Sequence, residues 1–295
     1  MKVFRPGRAW SRHPFLSFLL HSLFLLPTSG LALDRSEAAG VANGILYAAR
    51  HAPHTDDRSL IESFDLRTGE RLETVYFYGR MSVFLVREDA LYAGFDEAVK
   101  RSTDGGATWE PVLEGLAGVS RIVELGPYLL VDANEADGTW SSPPVRWIID
   151  PATREVVRRE FPSGAGRLRA DNLHGRLYSR SNFSPRDLRY SDFDPETGAW
   201  LGTGGGQPQY HGDFPHGDQI YPFPDGRRVL DNSGILYETE RLDYIWEVEP
   251  FRRALFLRNY PETPVLLRGS ELVTLRRDLT VDRVLATQFY PARLF

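Results

Sequence analysis

Short β-rich runs recur along this chain at a nearly even pitch, each closed by a tight turn, and this recurrence narrows the fold more than any other feature. An aspartate ends a run and opens a turn in Phe64-Asp65-Leu66-Arg67-Thr68-Gly69, Ser102-Thr103-Asp104-Gly105-Gly106, Ile149-Asp150-Pro151-Ala152-Thr153 and Phe193-Asp194-Pro195-Glu196-Thr197-Gly198. Fainter copies stand at Asp243 and Asp278. The six aspartates are spaced 39, 46, 44, 49 and 35 residues apart, a mean of about 43, which is the length of one four-stranded propeller blade. The local physics is that an Asp carboxylate accepts hydrogen bonds from the free N–H groups of its turn, while a following Gly adopts the left-handed conformation that closes it. These aspartates are therefore read as structural.

A second series keeps step with the first: Gly44–Tyr47, Asp89–Tyr92, Gly126–Leu129, Gly175–Tyr178, Gly226–Val229 and Ser270–Val273, each read as the opening strand of its unit. Strands are expected over Ile45–Ala49, Leu60–Asp65, Leu72–Tyr78, Ser82–Val86, Ala90–Gly94, Ala98–Ser102, Ile122–Leu125, Tyr128–Val131 and Val145–Ile149. No long window repeats apolar residues at i, i+3, i+4 and i+7, which argues against a Rossmann fold or an α/β barrel. The fold class is all-β: a β-propeller of four-stranded antiparallel blades, six by this count. A seventh blade is the alternative, assembled from residues before Gly44 and after Asp278. Radial closure protects the sheet edges that a row of open hairpins would expose.

Met1–Ala32 is set apart as a secretory leader. Lys2, Arg5, Arg8 and Arg12 precede an apolar stretch from Phe15 to Leu26, Pro27 and Gly30 follow, and Gly30 and Ala32 supply the small residues of a cleavage site. Twelve residues are too few to span a bilayer as a helix. Cleavage after Ala32 would leave one propeller domain, residues 33–295, and move the formal charge from −5 to −9. A periplasmic or secreted location is expected, with no membrane span in the mature chain. The acidic balance speaks against nucleic acid as a partner. The absence of cysteine excludes disulfides, thiolate metal sites and a lipid-bearing cysteine. Of 35 basic residues 33 are arginine, dispersed along the chain among Asp and Glu rather than clustered.

Ser102-Thr103-Asp104-Gly105-Gly106-Ala107-Thr108-Trp109 matches the Asp-box pattern S-x-D-x-G-x-T-W at every fixed position. It resembles the BNR-like repeats of sialidases, photosystem assembly propellers and many exported bacterial β-propellers. The resemblance implies that Ser102, Asp104, Gly106, Thr108 and Trp109 form a structural rim hairpin away from the central site. The Asp-x-x-Thr-Gly turns at Asp65 and Asp194 resemble those of quinoprotein-type propellers. Sialidase chemistry would need an early arginine segment, and the nearest match, Phe4-Arg5-Pro6, lies in the leader. The resemblance covers most of residues 44–290 as fold and implies no specific activity.

Two loop segments carry metal-competent groups. His51, His54 and Asp57 stand together in one, and His211, Asp213 and His216 in a repeated His-Gly-Asp in the other. Neutral imidazole and carboxylate oxygens can hold zinc, manganese or calcium, so a divalent metal is the cofactor these six residues would serve, although their spacing matches no established motif. Gly202–Gly206 lacks the following helix that a phosphate loop needs. Most of the tryptophans, about one per unit, are expected to pack between blades, with Trp140 an exposed loop aromatic. The resulting expectation is a non-catalytic exported propeller that binds a protein, glycan or small ligand. The competing expectation is a hydrolase or lyase on an extracellular polymer, with its site at the mouth of the central channel.

Overall fold

The computed structural model describes residues 39–286 apart from 52–57, 136–144, 161–166, 181–185, 202–213 and 258–259. All regular structure in the described residues is β. The chain lays down six antiparallel sheets in sequence order, and these are the blades of a six-bladed β-propeller. Blade 1 is β1 (Ala39–Ala42), β2 (Ile45–His51), β3 (Arg58–Asp65) and β4 (Arg71–Tyr78); blade 2 is β5 (Val83–Val86), β6 (Leu91–Gly94), β7 (Ala98–Ser102) and β8 (Glu110–Glu114). Blade 3 is β9 (Leu116–Leu125), β10 (Tyr128–Glu135), β11 (Val145–Ile149) and β12 (Val156–Glu160). Blade 4 holds β13 (Leu168–Asp171), β14 (Arg176–Arg180) and β15 (Leu188–Asp192). Blade 5 is β16 (Ile220–Pro222), β17 (Arg228–Asp231), β18 (Ile235–Glu238) and β19 (Tyr244–Glu247); blade 6 is β20 (Arg253–Leu257), β21 (Tyr260–Arg268), β22 (Glu271–Leu275) and β23 (Val281–Ala286).

Every strand pairs with its chain neighbour, so each blade is a meander made of tight hairpins. Asn43-Gly44 joins β1 to β2 with φ of 51° and 78°, the pair of left-handed residues that a two-residue hairpin matching the strand twist requires. The first strands of successive blades lie side by side, β1 against β5, β5 against β9, β9 against β13 and β13 against β16. They therefore line the axis, and the fourth strands form the rim.

Burial follows this radial order. The inner and middle strands are covered on both faces, as in β6 and β11, where every residue is buried, whereas all four residues of β19 are exposed. Five apolar cores lie between consecutive blades. Ile61 meets Phe84 and Leu91 between blades 1 and 2, and Tyr92 and Val99 meet Leu129 and Trp147 between blades 2 and 3. Leu130 and Ile148 meet Leu177 and Phe193, Tyr178 meets Val229 and Tyr237, and Phe223 meets Leu266 and Val273. Burying flat β-branched and aromatic faces against each other is the main stabilising contribution in such a ring.

Two expectations need correction. The Gly44–Tyr47 series marks the second strand in blades 1 to 5 and the third in blade 6; the first strands of blades 2 and 3 coincide with the expected runs Ser82–Val86 and Ile122–Leu125, while those of blades 1, 4, 5 and 6 are shorter than the second strands and lie close to turns. Among the described residues no seventh blade forms, because β1 pairs with β2 in blade 1 and β23 with β22 in blade 6. In blade 4 three strands lie among the described residues, followed by the bridge Phe193–Trp200 and a hydrogen bond from the Leu201 N–H to the Asp192 carbonyl.

Candidate functional site

Four first strands and the residues leading into them, from blades 2 to 5, enclose a cavity of about 290 Å³ on the axis. Its charged lining is Arg121 and Glu124 from β9, Arg167 and Arg169 at β13, and Asp218 before β16, with Gln219 and Tyr221 beside them. First strands run downward from the end where each blade is entered. Arg167, Asp218 and Gln219 therefore sit at the upper mouth and Glu124 near the lower end.

Arg121 is held from behind. Its Nη1 donates to Asp132 Oδ2 at 3.0 Å, and the same carboxylate accepts from Arg146 through Nε at 2.8 Å and Nη2 at 3.1 Å. Asp132 is 1% exposed, so two guanidiniums share one buried negative charge and the cluster keeps a net positive charge. Burial pulls Arg121 below the ordinary arginine value; Asp132 opposes this, while the nearby Arg167 and Arg146 charges add to it. Arg121 nevertheless stays cationic. At the lower end Glu124 is 3.4 Å from Arg87, and burial holds its carboxyl above the usual range. Arg253, opening β20, donates to Gln219 at 2.7 Å. The Tyr221 hydroxyl is buried against Arg253 and the Ala254 backbone, and burial raises it above the ordinary tyrosine value.

A second buried ion pair braces the same end between blades 4 and 5. Arg180 closes β14, with its N–H on the Arg167 carbonyl at 2.9 Å, and its guanidinium meets the fully buried Asp231. Asp231 also accepts from the Ser233 hydroxyl and backbone N–H. The pair locks the two blades in register behind the cavity wall.

The metal candidates fall largely outside the described residues. His54, Asp57, His211 and Asp213 lie outside the described residues, as does the His51 side chain. His216 is exposed. No group of three or more metal-competent side chains forms among the described residues. Gly202–Gly206 and Trp140 are also outside them.

The Ser102–Trp109 turn is at the opposite end, joining β7 to β8. Asp104 accepts from the Thr108 N–H at 2.9 Å, the Thr108 hydroxyl at 2.6 Å and the Ser102 hydroxyl at 2.8 Å, and Ser102 Oγ accepts from the Gly106 N–H at 2.8 Å. The Thr108 hydroxyl, then its N–H and the Ser102 hydroxyl, lower the Asp104 carboxyl to about 2. Trp109 packs on Phe77 of blade 1 and Phe95 of blade 2. Asp65, Asp150 and Asp194 hold the corresponding turns of blades 1, 3 and 4 through two N–H donors each. In blade 5 the acceptor is Glu238 rather than Asp243, taking the N–H groups of Glu240, Arg241 and Asp243.

The arginines that appear dispersed in sequence are gathered by the ring. The available signal was positional: Arg80, Arg121, Arg167 and Arg253 each stand at or shortly before the apolar run of a first strand. Reading the second strands as the openers of the units conceals it. The rim carries a different surface. On β19 Tyr244, Ile245 and Trp246 are 40%, 42% and 52% exposed, so Trp246 departs from the expected packing between blades, while Trp147 is buried and Trp109 partly so.

No protein-family model matches the chain, and no curated protein matches it. Solved structures share its architecture at low identity. BamB from Moraxella catarrhalis is 12% identical with a TM-score of 0.51, over 86% of this chain and 77% of that one. The Cps50 (Swd1) β-propeller domain of Myceliophteria thermophila is 14% identical with a TM-score of 0.53, over 86% and 83%. Hsv2 from Kluyvelomyces marxianus is 12% identical with a TM-score of 0.53, over 79% and 73%. The likeness is one of fold.

Proposed function

We propose that this chain is an exported, non-catalytic propeller that serves as a scaffold for another protein, taking an extended segment of that partner along the rim of blade 5. The observation that carries this reading is β19. It is last in its sheet, so among the described residues no strand pairs with one edge of its backbone, and both of its faces present large apolar side chains to solvent. Monomeric propellers blunt such edges with charge or proline; this one offers tyrosine, isoleucine and tryptophan, the residue types that anchor interfaces. Exposed Glu240 precedes the strand and exposed Glu247 ends it, so the fitting segment alternates apolar with basic residues and adds as a fifth strand.

The turns of the lower end belong to the same reading. The Ser102–Trp109 hairpin is an Asp box and the Asp65 and Asp194 turns are quinoprotein-like, rim hairpins that stiffen the frame and leave recognition to other surfaces. The leader, Met1–Ala32, takes the chain out of the cytoplasm.

Two measurements test this. N-terminal sequencing of protein from the native cell should find Leu33 first, in the periplasmic or culture fraction; an intact Met1 start in the cytosol would overturn export. A protein crosslinked at the rim, once identified and purified, should bind the mature chain, and Trp246→Ala should weaken that binding by about 2 kcal/mol, roughly 30-fold. Unchanged affinity in both Trp246→Ala and Ile245→Lys would remove the rim from the reading.

A further inference from the structure

We infer that β4, the rim strand of blade 1, pairs with β4 of a second copy of this chain, the two strands running antiparallel about a two-fold axis at Val75. The inference is independent of the reading of blade 5, since it concerns another strand and another partner.

The free edge is the first argument. β4 is last in its sheet, so among the described residues no strand pairs with its outer side. Tyr76 and Tyr78 share one face of the strand by its alternation and are 63% and 77% exposed, with Leu72 nearer its start 52% exposed. Such an edge is a template for another strand. Tyr78 is already fixed for contact: Arg58 Nη2 donates to its hydroxyl at 2.7 Å, and the Arg58 guanidinium lies 4.7 Å from the ring centroid. A side chain ordered in advance loses less freedom on association.

Charge selects the partner. Exposed Glu70 and Glu73 stand at the start of β4 and exposed Arg80 just past its end, while Arg71 at the start is engaged by Glu62 at 3.5 Å. A strand that is acidic at one end and basic at the other fits an inverted copy of itself. β19 does not, because Glu240 precedes it and Glu247 ends it.

The pleat fixes the register. A two-fold axis normal to the sheet keeps each face on its own side, so residues opposite one another must belong to the same face. Val75 is midway between Glu70 and Arg80, and an axis there brings the charged ends of the two copies level. Tyr76 of each copy then opposes Thr74 of the other, and the two Tyr76 rings meet diagonally across the axis. The run from Glu73 to Phe77 that carries this pairing is free of the bulge at the start of β4.

The test uses the mature chain in sedimentation velocity across a dilution series. A contact confined to one strand pair is small for a specific interface, so a reversible dimer in the micromolar range should form. Tyr76→Lys and Arg80→Glu should each weaken it at least about tenfold, and Glu70→Arg/Arg80→Glu, which exchanges the charges, should restore it. Circular dichroism establishes that each variant is folded; should Tyr76→Lys fail to fold, Arg80→Glu and its charge exchange carry the test. The chain has no cysteine, so Val75→Cys under mild oxidation should give a disulfide-linked dimer. Leu72→Cys should not, because its two copies would lie roughly 20 Å apart in this register. A chain that stays monomeric at about 100 μM would overturn the inference. So would a dimer that survives both Tyr76→Lys and Arg80→Glu, or one that crosslinks as well at Leu72 as at Val75. Trp246→Ala should leave the dimer intact, so failure here and failure of the blade 5 reading are told apart.

Discussion

At the residue scale the turns illustrate how much one carboxylate can organise. Asp104 gathers a backbone N–H and two hydroxyls and is lowered to about 2 by them; Asp65, Asp150, Asp194 and Asp278 are lowered by the same kinds of donors. A carboxylate whose folded value lies below its unfolded one stabilises the fold fully above the unfolded value of about 4 and loses that contribution as pH falls through the folded one. Stability should therefore decline between about pH 4 and about pH 2, with several turns contributing together. Asp104→Asn should be less stable than the parent near neutral pH, and the gap should narrow over that window, as followed by thermal melts at stepped pH. A gap that stays constant would show that the charge of Asp104 is not what holds the turn.

At the scale of the element the lower-end hairpins act as interlocking parts. Gly175, with φ of 64°, precedes β14 where a Cβ would lie 2.2 Å from the Phe193 carbonyl oxygen. Gly126, before β10, would meet the Pro195 carbonyl oxygen at 2.4 Å. Gly175→Ala should cost at least about 2 kcal/mol, since backbone strain adds to a clash with main chain that cannot swing aside. Denaturant unfolding measures it; a loss below about 0.5 kcal/mol would show that the turn relaxes freely. These hairpins were also the part of the fold that could be read in the sequence. The aspartate turns named all six blades, because turn chemistry is local: Asp65 needs only Arg67, Thr68 and Gly69. The second strands of blades 1 to 5 and the third strands of blades 1 to 3 were legible for the same reason, being apolar and flanked by turns. Of the first strands, β5 and the apolar end of β9 were legible as Ser82–Val86 and Ile122–Leu125, whereas β1, β13, β16 and β20 were not, since they are short, β16 spanning three residues, and offer no clean alternation. The candidate site was lost with them. Arg121, Arg167 and Arg169 become neighbours only when blades 3 and 4 pack, which no local pattern encodes.

At the scale of the molecule, the ring is made from sheets that are each complete. β1 to β4 and β20 to β23 form separate blades, so among the described residues no sheet mixes early and late strands. A circular permutant with its termini joined by a flexible linker and a new opening at Arg80, between blades 1 and 2, should keep its circular dichroism spectrum and melt within a few degrees of the parent, the change expected from about 1 kcal/mol. An opening between β6 and β7, inside a blade, should not. Equal loss of structure in both would mean that covalent order around the ring matters more than sheet integrity. The same separateness has a bearing on how the protein is made. A nascent chain can finish each sheet as soon as its own last strand has left the ribosome or a translocation pore, with no strand waiting for a partner still to be synthesised, and only the final docking of the sixth blade on the first requires the whole polypeptide.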